Sequence, residues 1–370
     1  MTAMTEAVID LAAIAHNARV LAATAGPAGM MAVVKANGFG HGAPQIARTA
    51  LDHGATWLGV ASVAEALALR AQGLTAPTLC WLYSPAETFD EVLQADIDVS
   101  AGSVTALEAL AAAAERTGLV ANVHLKLDTG MSRGGAPVEE WSELFTWARK
   151  LSDAGLLHIR GLWSHLANAE DRSDPGLHTQ LREFDLGREA AAVAGLDPPI
   201  LHLANSAAAL HLPPARHDLM RAGIALYGIE PVPGQTFGLR PAMTVRAQIL
   251  LTKRVPAGTG VSYGPDFYTD RETTLALVPL GFADGVPRVA AGQAALSVGG
   301  VRCPIAGRVS MDQIVLDVGD LPVRAGDWAV MFGPGDQGEP TAGEWAGWAG
   351  TNPHEILTGI GARVPRRYLS

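Results

Sequence analysis

The first two thirds of the chain alternate between short apolar runs and longer stretches rich in alanine and leucine. The longer stretches, such as Ser62–Gln72 and Val104–Arg116, carry apolar residues at the spacing of an amphipathic helix. The short runs are continuously apolar, which is typical of strands that are buried on both faces. Eight runs are predicted to be strands: Met31–Lys35, Trp57–Ala61, Pro77–Tyr83, Asp96–Ser100, Val123–Asp128, His158–His165, Ile200–Ala204 and Asp218–Ile224.

Apolar strands that alternate with helices indicate a parallel sheet with helices covering it. Eight such units are the number that closes a (β/α)8 barrel. We therefore predict an α/β protein whose first domain, residues 1–236, is a TIM-type barrel. An open, doubly wound parallel sheet is the alternative that the same alternation allows.

The pattern changes from about Gly238 onward. Short runs with alternating character follow, interrupted by proline and glycine, and few long helical stretches remain. This predicts a second, mostly-β domain at residues 237–370, after a junction at Glu230–Gly238. Its predicted strands are Met243–Leu251, Leu275–Pro279, Ala295–Val298, Gln313–Val318 and Asp327–Phe332.

Composition narrows the class of protein. Hydrophobic residues make up 48% of the 370 residues and the net charge is −10, with no cluster of lysine and arginine, so nucleic acid is not expected as a partner. No secretory signal is visible and no apolar stretch reaches roughly 18 residues, so no membrane association is predicted. Cys80 and Cys303 stand far apart without a CxxC pair, which favours the reducing cytoplasm and predicts no metal site.

Polar residues follow the predicted barrel strands at their carboxyl ends, where the reactive groups of such barrels lie. Lys35 closes one strand, His165 ends another, and Arg133 follows a third after a glycine-bearing turn. Asn205 and Ser206 follow the run Ile200–Ala204. Each residue alone is more often structural than functional, but several strands present polar groups to the same mouth. A site at this end of the barrel is therefore predicted.

Lys35 ends an apolar strand and precedes the small segment Ala36-Asn37-Gly38. Loss of hydration lowers the pKa of such an amine, and a neutral amine can condense with an aldehyde. This is the chemistry that pyridoxal phosphate (PLP) requires of its lysine. Ser206 and backbone N–H groups near Gly223 are candidates for holding the phosphate.

Nine sequence blocks, spread in order over nearly the whole chain, resemble those of the alanine racemases. The first, VKANGFGHG at Val34–Gly42, resembles the PLP-lysine signature of that family. The other blocks are HLKLDTGMSR (His124–Arg133), SHLANAE (Ser164–Glu170), HLANSA (His202–Ala207), RAGIALYG (Arg221–Gly228), VSYG (Val261–Gly264), GFADG (Gly281–Gly285), GRVSMDQ (Gly307–Gln313) and RVPR (Arg363–Arg366).

The resemblance implies a PLP-dependent racemase that acts as a homodimer with shared active sites. Lys35 then carries the cofactor and serves as one base, and Tyr263 from the partner subunit's β domain is the opposite base. Inversion needs a base on each face of a planar carbanion, because one removes a proton and the other returns one. A phenol has an ordinary pKa near 10, and the resemblance makes His165 the residue that assists Tyr263.

Other matched positions imply contacts with the cofactor and the substrate. Arg221 faces the pyridine nitrogen and, because arginine stays protonated, keeps that nitrogen unprotonated, which favours proton exchange over other outcomes. Arg133 lies beside the substrate carboxylate, and Met311 and Asp312 belong to a partner loop that contacts it. Lys126 matches a position that is often carbamylated and then pairs with Arg133. The cofactor-binding positions are Lys35, Phe39, Asn205, Ser206, Arg221, Gly223 and Ile224.

Three positions depart from the family pattern. Phe39, Phe282 and Ala362 stand where the family usually has tyrosines. The hydroxyl missing at Phe39 helps to hold the phosphate in the family, so weaker cofactor binding is expected unless water or a neighbour such as Tyr227 replaces it. Phe282 and Ala362 predict a wider, more apolar entrance and thus a broader substrate range.

Four interpretations therefore stand at this point. The first is an alanine racemase that supplies D-alanine for peptidoglycan, and the second is a broad-specificity racemase for serine, lysine or similar residues. A third is an amino acid decarboxylase, which has the same domain plan but uses a carboxylate where this chain has Arg221. The fourth is a non-catalytic PLP-binding barrel, a class that lacks the β domain.

Overall fold

The computed structural model describes residues 4–264 and 266–370. The chain divides into two compact units. The barrel unit comprises Ala15–Gly38 and Ala43–Leu239, and the β unit comprises the chain up to Ile14, Phe39–Gly42 and Arg240–Ser370. The division at residue 236 stays a prediction. The apolar pattern did not indicate that the start of the chain groups with its carboxyl-terminal part.

The chain opens with strand β1 (Thr5–Asp10) and helix α1 (Leu11–Ala25). Eight parallel strands then form the sheet of the barrel unit, and each of the eight predicted runs overlaps one of them. They are β2 (Gly29–Val33), β3 (Trp57–Ser62), β4 (Thr78–Leu82), β5 (Asp98–Ala101), β6 (Ala121–Lys126), β7 (Leu157–Trp163), β8 (Ile200–His202) and β9 (Leu219–Ala222).

The strand order is β8-β7-β6-β5-β4-β3-β2-β9. The two end strands, β8 and β9, meet through backbone hydrogen bonds just beyond their paired residues. The amide of Asp218 donates to the carbonyl of Leu201 at 3.0 Å, and the amide of Arg221 donates to that of Ala204 at 3.0 Å. The sheet is thus a nearly closed barrel, which confirms the predicted TIM-type fold and excludes the open sheet.

Helices connect successive strands, and local capping explains where several of them begin. Ser62 and Glu65 form a capping box before the helix that begins at Val63, and Asp174 caps the helix that begins at Pro175, which has this proline in its first turn. No helix in the described ranges is long and apolar enough to cross a membrane. The helices that connect the barrel strands are α2 (Ala43–Asp52), α3 (Val63–Ala71), α4 (Asp90–Gln94), α5 (Val104–Thr117), α6 (Trp141–Asp153), α7 (Pro175–Val193) and α8 (Ser206–His211), with short 3-10 turns at Val138–Glu140, Pro213–Ala215 and Ile224–Tyr227.

The β unit is mostly strands, as predicted. Its three sheets have the orders β16-β15-β18-β10-β1-β19, β11-β14-β17 and β12-β13. Their strands are β10 (Met243–Gln248), β11 (Leu251–Val255), β12 (Gly260–Val261), β13 (Phe267–Tyr268), β14 (Thr273–Val278), β15 (Ala295–Val298), β16 (Val301–Pro304), β17 (Ile314–Gly319), β18 (Trp328–Phe332) and β19 (Arg366–Leu369), with helices α9 (Ala342–Ala349) and α10 (Pro353–Gly359) and a 3-10 turn at Arg288–Ala290.

Strand β1 lies between β10 and β19 in the larger sheet of the β unit. It pairs antiparallel with β10 and parallel with β19. Glu6 on this strand accepts from Arg246 at 2.6 Å and from Arg367 at 3.0 Å, so each neighbouring strand is also joined to it by an ion pair. The two ends of the sequence are therefore brought together in one sheet.

Candidate active site

Lys35 stands two residues beyond the end of β2, at the start of a left-handed turn. Ala36, Asn37 and Gly38 have φ values of 52°, 53° and 62°. This conformation costs a non-glycine residue about 1–2 kcal/mol, so other contacts must hold it. The Glu65 carboxylate is one of them, because one oxygen accepts from the amide of Ala36 at 2.7 Å while the other caps the start of α3. The turn that follows the lysine is thus tied to the start of α3.

The amine of Lys35 is partly removed from water. Its Nζ atom lies 6.0 Å from the ring centroid of Trp81. Burial lowers the pKa of this amine below its ordinary value of 10.5, the charge of Arg133 lowers it further, and Glu65 opposes the shift. A larger neutral fraction follows, which is the form that attacks an aldehyde.

Side chains from neighbouring strands contact the indole of Trp163, which lies at the end of β7. Nζ of Lys126 lies 4.7 Å and Cζ of Arg221 lies 4.8 Å from its ring centroid. The ring of His202 stacks on it at 5.4 Å with an interplanar angle of 4°. The indole N–H donates to the hydroxyl of Ser100 at 3.0 Å, which fixes the ring. Two predicted site residues, from β6 and β9, are therefore held around one aromatic platform.

Arg221 is only 4% exposed and is held by acceptors from two segments. Nη1 donates to the carbonyl of His202 at 2.9 Å. Nη2 donates to the carbonyls of Ser164 at 2.8 Å and Leu203 at 3.0 Å, and to Nδ1 of His165 at 3.1 Å. Burial lowers the pKa of Arg221 to about 9, so the guanidinium remains a cation at neutral pH.

His165 is neutral at neutral pH, and its tautomer follows from its neighbour. Burial, and then the charges of Arg221, Arg133, Lys126 and Lys35, lower the pKa of His165 to about 2. A neutral imidazole has one donor and one acceptor nitrogen, and Nδ1 must accept because arginine can only donate. The other nitrogen, Nε2, therefore carries the proton and can donate a hydrogen bond.

Lys126 and Arg133 belong to one strand and the loop that follows it. Burial, and then the charges of Arg133 and Arg221, lower the pKa of Lys126 to about 8 against the opposing effect of Asp128. Oδ1 of Asp128 accepts from the amides of residues 130–132 at 3.0–3.1 Å, so the loop that leads to Arg133 is ordered. A sizeable neutral fraction of Lys126 at pH 7–8 makes it nucleophilic in this range.

Ser206 joins the two segments that were predicted to hold a phosphate. Its Oγ accepts from the amides of Gly223 at 2.9 Å and Ala225 at 3.3 Å, at the start of the 3-10 turn that begins at Ile224. Asn205 caps α8 immediately before it. Because Oγ accepts both bonds, the hydroxyl proton of Ser206 remains to be donated to an anion.

Two aromatic residues that the sequence connected with the phosphate make other contacts in the structure. The ring of Phe39 is buried in the β unit, 5.8 Å from the ring of His354. The hydroxyl of Tyr227 donates to the carbonyl of Val33 at 2.9 Å. A phosphate oxygen needs a donor, and this proton is already used, so Tyr227 does not replace the tyrosine hydroxyl that is missing at Phe39. That suggestion from the sequence was wrong because the 3-10 turn directs Tyr227 into the barrel.

The remaining predicted residues lie on loops of the β unit with exposed side chains. Tyr263 is 75% exposed, Met311 is 55% exposed and Phe282 is 43% exposed. The loop of Tyr263 is held by the hydroxyl of Ser262, which donates to the carbonyl of Arg308 at 2.9 Å. The amide of Ala283 donates to the carbonyl of Met311 at 3.0 Å, so the loops that carry the exposed Phe282 and Met311 are neighbours on the β unit.

Arg363 forms ion pairs with the two loops that carry Phe282 and Met311. Its guanidinium contacts Asp312 at 2.6 Å and the buried Asp284 at 3.2 Å. The other oxygen of Asp284 accepts from the amide of Gly281 at 2.9 Å. Ala362, beside this arginine, is exposed. The β unit thus holds Asp312 by an ion pair that sequence analysis did not anticipate.

The structure gathers Lys35, Lys126, Arg133, His165 and Arg221 in the barrel unit and Tyr263, Met311 and Asp312 in the β unit. Sequence reasoning missed Trp163 and Glu65. A signal for Glu65 was present, because Ser62 and Glu65 have the capping-box spacing. Trp163 had no signal, since a tryptophan in an apolar strand is ordinarily part of the core.

Comparisons with known proteins agree with this architecture. Residues 9–231 match the family model for the alanine racemase N-terminal domain, and residues 242–368 match that for the C-terminal domain. The chain is 53% identical over 367 residues to the alanine racemase of Frankia casuarinae, covering 98% of this chain and 96% of that one.

Solved structures agree as well. The alanine racemase of Streptomyces lavendulae superposes with a TM-score of 0.97 at 45% identity, covering 100% of this chain and 98% of that one. That of Bartonella henselae, described with covalently bound pyridoxal phosphate, has a TM-score of 0.89 at 32% identity and full coverage of both chains. The barrel, the β unit and these relatives define a two-domain isomerase. The chain belongs to the alanine racemase family.

Proposed function

We propose that this enzyme interconverts L- and D-alanine with pyridoxal phosphate, using Lys35 and Tyr263 as bases on opposite faces of the substrate Cα. The observation that carries the proposal is the pairing of β2 with β9, in which Met31 lies opposite Arg221. An amine of lowered pKa thus follows the end of one strand, and a fixed guanidinium lies on the strand beside it, at the end of the barrel where reactive groups lie.

The barrel residues fit the cofactor. Lys35 offers the amine that holds it, Arg221 offers a cation for the ring nitrogen, and Ser206 offers a hydroxyl proton for the phosphate, with Asn205, Gly223 and Ile224 shaping that end. When bound, pyridoxal phosphate draws charge away from the substrate Cα and so makes its proton removable. The bound cofactor of the Bartonella henselae relative supports this assignment.

Each base has a defined protonation requirement. The lowered pKa of Lys35 lets its amine take a proton from one face of Cα near neutral pH. Tyr263 acts on the other face, and the N–H at Nε2 of His165 donates to the phenol oxygen and stabilises its ionised form. Arg221 cannot give a proton readily to the ring nitrogen, which favours proton return over decarboxylation.

The substrate carboxylate needs cationic or N–H partners. We assign Arg133 to it, together with the backbone around Met311 and Asp312 of the partner subunit. Lys126, with a pKa of about 8, is nucleophilic enough to take up carbon dioxide, and the resulting carbamate is an anion that pairs with Arg133. The biological role that fits is supply of D-alanine for peptidoglycan from the cytoplasm, and this also remains part of the proposal.

A homodimer with shared sites is the assembly that we propose. The exposed Tyr263, Met311 and Phe282 support it, because a second copy is the molecule whose barrel they serve. Activity should therefore fall when the protein is diluted below its dissociation constant and return on concentration. Sedimentation and activity should change together, and a fully active monomer contradicts the shared site.

The function is tested in heavy water with L-alanine and added cofactor. The expected result is loss of optical rotation with deuterium entering Cα, and with neither ethylamine nor pyruvate formed. Ethylamine would instead indicate the decarboxylase, and absence of any turnover with cofactor bound would indicate the non-catalytic barrel.

A broader substrate range is the second candidate, supported by Phe282 and Ala362, which are both exposed in the β unit without the hydroxyls that the family usually has. A panel of L-amino acids tests it. Measurable kcat/KM with serine or lysine supports the broader range, whereas preference for alanine by several orders of magnitude removes it.

A further inference from the structure

Five adjacent barrel strands each contribute one polar or charged side chain to a continuous network. We call it the barrel network, and its members in contact order are Arg160 (β7), Asp98 (β5), His124 (β6), His202 (β8) and Arg221 (β9). The successive distances are 3.0 Å from Nη1 to Oδ1, 3.0 Å from Oδ2 to Nε2, 2.8 Å from Nδ1 to Nε2, and 3.3 Å from Nδ1 to Nη1. Barrel interiors are ordinarily filled by branched apolar residues, so this polar path is unusual.

The network is buried over most of its length. Asp98, His124 and His202 are fully buried, and only Arg160 is partly exposed. Room for the ring of His124 comes from Gly161, because a Cβ there would lie 2.2 Å from Nδ1 of that histidine. The edge of Trp57 packs against the same ring at 5.3 Å between centroids. The sequence therefore holds the ring in one position.

The ends of the network fix the direction of every hydrogen bond in it. Arg221 can only donate, so Nδ1 of His202 must accept. A neutral imidazole then carries its proton on Nε2, which donates to Nδ1 of His124. By the same rule His124 donates from Nε2, and the carboxylate of Asp98, which can only accept, receives this bond. Each ring is therefore in the Nε2–H tautomer.

No other arrangement satisfies all the groups. Reversing His202 turns an N–H toward the N–H groups of Arg221, and reversing His124 turns a lone pair toward the carboxylate of Asp98. Both faults leave buried polar atoms without partners. Burial lowers the pKa of His124 and takes that of His202 well below its ordinary value. Both rings are therefore neutral, which is the condition for each to have one donor and one acceptor nitrogen.

We propose that Asp98 is a positioning residue, which fixes the tautomers of His124 and His202 and thereby holds the guanidinium of Arg221. The same guanidinium donates to Nδ1 of His165 at 3.1 Å. The hydrogen-bond directions that begin at Asp98, the first residue of β5, therefore extend to His165 at the mouth of the barrel. The effect on catalysis rests on the proposed function, while the hydrogen-bond directions do not.

The directions are tested on the wild-type holoenzyme by 15N NMR with labelled histidine, with His124, His202 and His165 assigned by single substitutions. All three should show a protonated Nε2 and an unprotonated Nδ1 from about pH 6 to 9. A charged ring or an Nδ1–H tautomer at His124 or His202 overturns the proposal. This measurement needs no variant that alters Asp98.

The role of Asp98 is tested with Asp98→Leu, which removes the acceptor and keeps the site dry. The Nε2–H of His124 then has no acceptor, so loss of the single tautomer is expected at His124 first and, through the hydrogen bond between the two rings, at His202. The value of kcat should fall about 10- to 100-fold, as for other residues that support an active-site group, with KM changing less. The matched control is Asp218→Leu, which removes an exposed carboxylate that accepts from the amide of Leu201 at 2.9 Å outside the network. The control should keep all three tautomers.

The outcomes separate this proposal from the proposed function. If the histidine tautomers agree but no racemisation occurs, the function fails and the network stands. If racemisation occurs and folded Asp98→Leu keeps both the tautomers and kcat, the positioning role is wrong.

Discussion

The mouth of the barrel and the exposed loops of the β unit present their functional groups in opposite ways. In the barrel, Arg221 is buried among acceptors and His165 has a pKa near 2. In the β unit, Tyr263 and Met311 are mostly exposed. A group that is already desolvated is organised before its ligand arrives, whereas an exposed group acquires its environment from what covers it. The barrel groups are thus organised in advance, whereas the organisation of Tyr263 and Met311 depends on the surface that covers them.

The two units also differ in how their positive charges are balanced. Lys35, Lys126, Arg133 and Arg221 act on one another or on His165 electrostatically, and each lowers the pKa of a neighbour. Such a concentration of positive charge disfavours the empty site and favours an anion, which is the character of a phosphate and a carboxylate. In the β unit, Arg363 is instead balanced by Asp312 and Asp284. The anion specificity of the proposed site therefore comes from the barrel.

The largest expected effect follows from removing the barrel amine. Lys35→Ala should lower kcat by about 10⁴-fold or more, because one residue supplies both the attachment and a base. The visible absorbance of the bound cofactor should disappear. Lys35→Arg is the matched control, since it keeps a cation but offers no condensing amine. An unchanged spectrum in either variant contradicts the assignment of Lys35.

Removing the phenol of the β unit should have a different signature. Tyr263→Phe keeps the ring and should leave cofactor absorbance unchanged, while kcat for racemisation falls about 10²- to 10⁴-fold. With one base left, one enantiomer should exchange its Cα proton for deuterium without inversion. Equal loss of exchange from both enantiomers, measured by NMR in heavy water, is the result that the two-base proposal does not allow.

The pH dependence of stability tests whether the barrel residue His165 is buried in its neutral form. The pKa of His165 is about 2 in the folded state and near 6.5 when unfolded, so between these values the unfolded chain binds more protons. Stability therefore falls as pH decreases from about 6.5, by about 1.4 kcal/mol per pH unit for each such histidine. His124, His202 and His217 shift in the same direction.

Urea unfolding between about pH 7.5 and 5 measures this slope, because most carboxylates titrate at lower pH. His165→Asn should reduce the slope by about 1.4 kcal/mol per pH unit. His178→Asn is the control, since it makes the same replacement at an exposed helix residue. Equal slopes in wild type and His165→Asn show that His165 is not buried in its neutral form.

Sequence analysis predicted the eight barrel strands because each is a continuous apolar run bounded by turns. It also found the residues at strand ends, since a polar residue that closes an apolar strand is visible in one dimension. Strand β1 escaped it, because its partners β10 and β19 lie more than two hundred residues away. The barrel network escaped it for a different reason: a polar residue inside a strand does not reveal which neighbouring side chain it meets, and His202 reaches Arg221 only because β8 and β9 close the barrel.

The smallest expected effect concerns Phe39, the one cofactor-binding prediction that falls in the β unit. Phe39→Tyr should strengthen binding of pyridoxal phosphate by about 3- to 10-fold, because a hydroxyl that donates to a charged phosphate contributes about 1.5 kcal/mol at most here. The gain is modest because the ring of Phe39 is buried beside His354 and must keep that contact. Equilibrium dialysis of the cofactor measures it, with Phe282→Tyr as a control that adds a hydroxyl on an exposed loop of the same unit. Equal affinity in Phe39→Tyr and wild type would contradict a phosphate contact by the added hydroxyl.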